Sequence, residues 1–197
     1  MYTRFVRVFG MTVLMIAAIV TSLAQDKGKD KGKAGGPPPP LKYSVAAFAD
    51  GAEVPQKFTC SAGQNAPSPS MTWGDVPAGT QSFALIMHDP DPVLNKSSND
   101  VLHWAIFNIP GSARQLPENV AGQAQLPDGT RQLNNIAGRA GYLGPCPPPP
   151  APHHYTLELY ALDQMLDLPA TASRADLLKA MDGHVLTKAV YIGMFHR

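Results

Sequence analysis

Short apolar runs rich in β-branched and aromatic residues, each broken by Gly, Pro, Asn or Asp, recur from residue 41 onward: "KYSVAAF", "SFALIMH", "LHWAIFNI", "YTLELYALD" and "AVYIGMF". Their length and partial alternation predict β-strands. "DVPAGTQ", "IPGSARQLPENVAG" and "LPDGT" between them are turn and loop text. One stretch has helical spacing instead. In "TASRADLLKAMDGHV", Ser173 can cap a first turn holding Asp176, Leu177, Leu178 and Met181 form an apolar face, and Gly183 can take the left-handed stop. No internal repeat of fixed period is present. The pattern predicts a mostly β protein, a sandwich or barrel with small helical additions.

The N-terminus has a different texture. Arg4 and Arg7 precede the uncharged run "FGMTVLMIAAIVTSLA", and Ser22 and Ala24 supply small residues at −3 and −1, so residues 1–24 predict a secretory signal peptide. An uncleaved anchor is the alternative, since the apolar run is only slightly short of a bilayer span. Residues 25–40, "QDKGKDKGKAGGPPPP", have nothing apolar to bury and predict a disordered tether. Residues 41–197 are then one domain, and the expected location is periplasmic or secreted.

Charge looks different once these segments are set apart. The whole chain is +1, but residues 41–197 hold 10 basic and 13 acidic side chains, a net charge near −3. No basic patch or recognition helix suggests nucleic acid, and no amphipathic membrane helix suggests stable insertion of the domain. Cys60 and Cys146 are an even pair in a chain expected to be exported, which permits a disulfide; two small buried thiols are the alternative.

Two stretches could carry chemistry. In "ALIMHDPDPVLNKSSNDVLHWAIFNIP", Asp89 and Asp91 stand two apart and would share a face if the chain stayed extended, with Pro90 and Pro92 ending the ladder there. One of these Xaa–Pro bonds is a candidate for the cis form. Asp-Pro is also ordinary turn chemistry. His103 opens the next strand, so a hairpin would bring Asp89, Asp91 and His103 to one sheet edge. There the carboxylates would raise the imidazole's pKa and make it a cationic donor, suited to an anion such as phosphate.

The second stretch, "GPCPPPPAPHHYTLELYALD", is a stiff loop poor in amide donors. Gly144 allows close backbone approach, Cys146 offers an N–H between Pro145 and Pro147, and His153 and Tyr155 add side-chain donors. Alternation sends His154 to the opposite face, at the surface. A zinc or iron site lacks compact ligand spacing here, and no activated nucleophile is evident, so neither metal nor cofactor is assigned and binding is favoured over catalysis.

With these residues in view, the text resembles the phosphatidylethanolamine-binding protein family, and within it the bacterial Raf-kinase-inhibitor-like branch. "FADGAEVPQKFTC", "SMTWGDVPAGTQSFALIMHDPDP", "LHWAIFNIP", "GYLGPCPPPP" with "HHY", and "ELYALD" carry the resemblance in order from about Ser44 to the C-terminus. It implies a large antiparallel sheet packed on a smaller one, with short helices toward the C-terminus. It also implies a small pocket for anions such as phosphate or a phospholipid head group, built from Asp89, Asp91, His103, the loop from Gly144 to Pro148, His153 and Tyr155. Relatives that regulate kinases and proteases imply a second possibility, a protein partner met by the proline loop and pocket rim; a metal-dependent or acid/base hydrolase using Asp89, Asp91 and the histidines is the third. Three departures stand out. Pro92 and Val93 replace Ala-Pro after the second Asp, His154 replaces an arginine, and Asn135 to Gly138 replace an Asn-Asp-Phe-Gly segment.

Overall fold

The run "SFALIMHD" becomes the central strand of the molecule. In the computed structural model, which describes residues 1–3 and 39–197, Ser82–Asp89 is buried at every position. The signal peptide and tether read from residues 1–40 fall, apart from their ends, outside the described residues. The fold is that of the unit Gly36–Arg197.

In chain order the strands are β1 (Lys42–Val45), β2 (Met71–Gly74), β3 (Ser82–Asp89), β4 (Val101–Pro110), β5 (Gln115–Leu116), β6 (Arg131–Gln132), β7 (His153–Leu162) and β8 (Val185–Phe195). Helix α1 (Arg174–Met181) lies between the last two, and two 3-10 turns, Gln56–Phe58 and Cys60–Ala62, follow β1. All strand pairings are antiparallel, in a three-stranded sheet β1-β2-β5 and a five-stranded sheet β6-β4-β3-β7-β8. The expected large and small sheets are both present.

Both faces of the large sheet are covered, so β3 has no polar alternation. Phe83, Leu85 and Met87 join Trp73, Met71, Trp104, Ile106, Tyr155 and Leu157 in one core cluster, while Ala84 and Ile86 join Phe107, Leu162, Leu177 and Met181 of α1 in another. Helix α1 has the predicted cap: Ser173 and Asp176 form a reciprocal capping box, and Gly183 follows with φ +79°. Leu177 and Met181 are buried as expected, but Leu178 is 38% exposed and lies outside the apolar face.

Polar residues tie α1 to the sheet. His88 Nδ1 lies 2.5 Å from Asp100 Oδ2 and its Nε2 lies 3.5 Å from Glu158 Oε2. Arg174, the first residue of α1, reaches Asp100 at 2.6 Å, and Lys188 reaches Glu158 at 3.3 Å. The His88 ring close beside it outweighs burial and, helped by Tyr160 and Lys188, holds the Glu158 pKa down to about 2 from its usual 4.5. A carboxylate with a depressed folded pKa stabilises above its unfolded value, and that contribution is lost as pH falls through 4.5 toward 2. Glu158→Gln is therefore expected to flatten the acid limb. Urea midpoints at about pH 6 and pH 3 should diverge more for wild type than for the variant, and parallel losses would remove the cluster from the account.

Candidate functional site

The site begins at an irregularity in β4. Met87 pairs with Trp104 while His88 pairs with Leu102, so His103 is the extra residue of a β-bulge. A bulge frees one residue from the ladder and re-aims its side chain. The His103 carbonyl accepts from the Leu143 amide at 3.0 Å, and His103 Nδ1 donates to the Leu143 carbonyl at 2.9 Å. A carbonyl only accepts, so Nδ1 carries the proton and Nε2 is left for another partner.

That double contact fixes the start of the proline loop. Beyond it Gly144 lies so close to the first 3-10 turn that a Cβ would come within 2.9 Å of the Phe58 carbonyl oxygen. Tyr142 donates to the same oxygen at 2.7 Å, and the Cys60 amide donates to the Pro145 carbonyl at 3.0 Å. Cys60 and Cys146 form a disulfide, which settles the alternative the sequence left open. Farther along, Arg197 Nε donates to the Pro147 carbonyl at 2.7 Å. The cis peptide lies at Pro149–Pro150 and not at an Asp–Pro bond. The loop's stiffness thus comes from cross-ties as well as from its prolines.

The acidic pair is placed differently from the expectation of an extended segment. Strand β3 stops at Asp89, and the Asp91 amide turns back to donate to Asp89 Oδ1 at 3.0 Å. Nor is this a sheet edge, because β3 runs between β4 and β7. Emerging from a central strand instead, Asp89 meets His153 at the start of β7, with His153 Nδ1 donating to Asp89 Oδ2 at 2.7 Å. One ligand atom each from Asp89, Asp91 and His153 falls within 4.8 Å of the others. His154 lies at the surface as alternation predicted, where its amide donates to Asp91 Oδ2 at 2.5 Å and its ring lies 3.1 Å from the same oxygen.

Tyr155 and His103 join this cluster to its surroundings. Their rings meet edge to face at 5.1 Å. The Tyr155 side chain is fully buried, and its hydroxyl has no hydrogen-bond partner among the described residues. Burial first, then the Asp89 carboxylate, raise its pKa above that of a free tyrosine. For His103 the charge expectation is overturned. Burial lowers its pKa and outweighs the upward pull of the Leu143 carbonyl and Asp89, so near pH 7 it is a neutral ring with an acceptor nitrogen, not a cationic donor.

Beside the cluster lies a cavity of about 610 Å³. Of the nine site residues named from sequence, His103, Gly144 and Cys146 line it. Asp89, Asp91, His153 and Tyr155 form the adjoining polar cluster, and Pro145 and Pro147 serve as carbonyl anchors for Cys60 and Arg197. Sequence reasoning missed the rest of the wall: Val101, Ile136 and Leu143 supply apolar surface, Cys60 and Gln64 come from the 3-10 region, and Arg139 supplies a cation. Arg139 Nη1 donates to Asn65 Oδ1 at 2.7 Å and Nη2 to the Gln64 carbonyl, so these partners are neutral and, among the described residues, leave its charge uncompensated. Its only signal in the text was a lone arginine among glycines in "AGRAGYLG".

A family model described as phosphatidylethanolamine-binding protein matches residues 44–196. A UPF0098 protein of Methanothermobacter thermautotrophicus is 46% identical over 157 residues, which is 80% of this chain and 99% of that protein. LppC of Mycobacterium tuberculosis, named as a lipoprotein, is 36% identical over 158 residues, 79% of this chain and 72% of its own. Among solved structures, Escherichia coli YbcL, described as a member of the mammalian PEBP family, matches with a TM-score of 0.71 at 28% identity, covering 81% of this chain and 99% of that one. The PEBP homologue CT736 of Chlamydia trachomatis gives 0.70 at 32% identity, covering 80% and 98%. Sequence and fold agree: the chain belongs to the phosphatidylethanolamine-binding protein family, in its bacterial branch.

Proposed function

We propose that this chain is an exported, non-enzymatic binding protein whose pocket takes a small phosphate-bearing ligand, such as a phospholipid head group. The observation that carries the proposal is Arg139 at the cavity wall with neutral partners, facing a space also lined by His103 and the backbone of Gly144. A charge-assisted bond to a phosphate is stronger than the neutral contacts the guanidinium now makes. Arg139 also offers the permanent charge that the resemblance places at residue 154, where this chain has histidine. Neutral His103 suits a ligand that brings its own proton or ammonium group to Nε2. Both cysteines are joined in the disulfide, so no thiol nucleophile remains. Export is supported by the apolar segment in residues 1–24 and by the name of the relative LppC. Among the described residues no helix is long and apolar enough to cross a membrane.

Calorimetric titration with phosphate and phosphoethanolamine tests the proposal. Wild type is expected to bind, and Arg139→Gln, a half-buried change away from the core, to bind about tenfold or more weakly, as loss of one charged hydrogen bond requires. Equal affinity in the variant, or no binding to wild type, would reject the pocket. A second reading, a protein-interaction module, draws on the exposed prolines at 148–150. It predicts a pull-down that disappears when 147–150 become a Gly/Ser loop.

A further inference from the structure

The Cys60–Cys146 bond is placed where a thiol from solvent can reach it. Cys60 is half-buried and Cys146 is exposed, although Pro145 and Pro147 on either side of Cys146 are both buried. These flanks are anchored by their carbonyls, Pro145 to the Cys60 amide and Pro147 to Arg197, so the loop presents the one residue between them outward. Both cysteines line the cavity of about 610 Å³. Exposed disulfides are the labile ones, because exchange requires a thiolate to approach a sulfur directly.

The same cavity has features that draw a thiolate in. A thiolate is an anion, and the Arg139 guanidinium on the wall has only neutral partners among the described residues. Val101, Ile136 and Leu143 supply apolar surface for a short carbon chain. The cavity also lies within the range of about 300–1,000 Å³ that small-molecule sites occupy. These features favour a small anionic thiol over a protein reductant.

We propose that the Cys60–Cys146 disulfide is a thiol-exchange site, attacked at Cys146 by a small thiol that carries a negative group, and that exchange there releases the cavity wall. In the first step the small thiolate's sulfur bonds to Cys146 Sγ, the bond between the two protein sulfurs breaks, and Cys60 leaves as a thiolate that takes a proton from solvent. In the second, another small thiolate attacks the sulfur of the bound small molecule. That molecule departs as its own disulfide, and Cys146 is left as a thiolate, protonated in turn. Two small thiols are oxidised and one protein disulfide is reduced, so no other reductant is needed.

Opening the bond acts on the cavity through the segment that follows Cys60. Residues 61–65 are all exposed, and Gln64 and Asn65 among them hold the Arg139 guanidinium. Once the covalent tie is gone, the 3.0 Å hydrogen bond from the Cys60 amide to the Pro145 carbonyl joins segment and loop. Phe58 and Thr59, just before Cys60, are buried, so the core keeps its place while the wall beyond it loosens. Arg139 and the proline loop then lose their fixed relation, and ordering them again on binding costs affinity. This consequence rests on the phosphate-binding function proposed above; the exchange site stands without it.

The test incubates the folded full chain with mercaptoethanesulfonate, mercaptoethanol and cysteamine, thiols of similar size with a negative, a neutral and a positive charge. Adducts are located by mass spectrometry, rates are compared per thiolate, and binding of inorganic phosphate is measured before and after exchange. The adduct is expected on Cys146, about threefold faster for the sulfonate than for the neutral thiol and slowest for the amine, the size of effect that one charge pair about 6 Å apart gives in water. Arg139→Gln should erase that order. Phosphate affinity should fall about tenfold after exchange, with a cooperative urea transition retained to show that the chain is still folded. Adducts that form no faster than the chain unfolds, or that sit on Cys60, would overturn the exchange site, as would reduction by a protein dithiol alone. Loss of the urea transition on exchange would overturn the local release and make the bond a brace for the whole fold. An order that persists in Arg139→Gln would overturn the steering by Arg139. Unchanged phosphate affinity after exchange would overturn control of the pocket, while no phosphate binding by the untreated chain would overturn the phosphate reading and leave the exchange site.

Discussion

Replacing Cys60 and Cys146 together by serine is expected to lower the unfolding free energy by about 4.5 kcal/mol. The bond closes a loop with a sequence separation of 86 residues, and the chain-entropy relation gives about 4.5 kcal/mol for such a loop at 25 °C. Its location adds a functional consequence. Both sulfur residues line the cavity, one from the 3-10 region and one from the proline loop, so the bond holds opposite parts of the wall together. Urea unfolding of the double variant should show a lower midpoint, and phosphate affinity should fall because the loop must now be ordered on binding. A stability loss under about 1 kcal/mol would mean that the ties at Leu143, Pro145 and Pro147 hold the loop without it.

Asp89→Ala carries the second large effect, about 3 kcal/mol of stability together with loss of ligand binding. Asp89 is 3% exposed. It accepts from His153 through one oxygen and from the Asp91 amide through the other. Alanine would strand both donors near the Tyr155 hydroxyl, which already has no partner. Removing one member of a buried, hydrogen-bonded pair costs about 3–5 kcal/mol, and incomplete burial of His153 places this case at the lower end. Asp89→Asn separates shape from charge, since it can still accept from the Asp91 amide but carries no charge. It should keep most of the stability. Equilibrium unfolding of the two variants checks this, and an Asp89→Ala loss below about 0.5 kcal/mol would place the pair among solvated ones.

Much of the site was legible before the fold was known. Asp89, His153 and Tyr155 do converge, since "SFALIMHD" and "HHYTLELYAL" are recognisable strands whose ends carry polar residues. The Asp-Pro turn chemistry was legible as well, and it won locally over the extended alternative when the Asp91 amide folded back on Asp89. The charge of His103 was not legible. Proximity to a carboxylate argues for protonation, but burial argues against it, and only the packed structure shows burial to be the larger effect. Arg139 was missed because its position at the cavity follows from contacts with Gln64 and Asn65, about 75 residues earlier in the chain.

By itself the sequence determined strands β1, β3, β4, β7 and β8, the capped helix and the stiffness of the proline loop, and it offered the turn after Asp89 as one of two readings, because these depend on side-chain period and on φ preferences within a few residues. Tertiary structure alone decided that His103 would sit in a bulge, that Cys60 would reach Cys146, and that Asp89, Asp91 and His153 would come within 4.8 Å of one another. Strand register, burial and distances between remote segments are set by the packing of two sheets and a helix, and no local window of residues contains them.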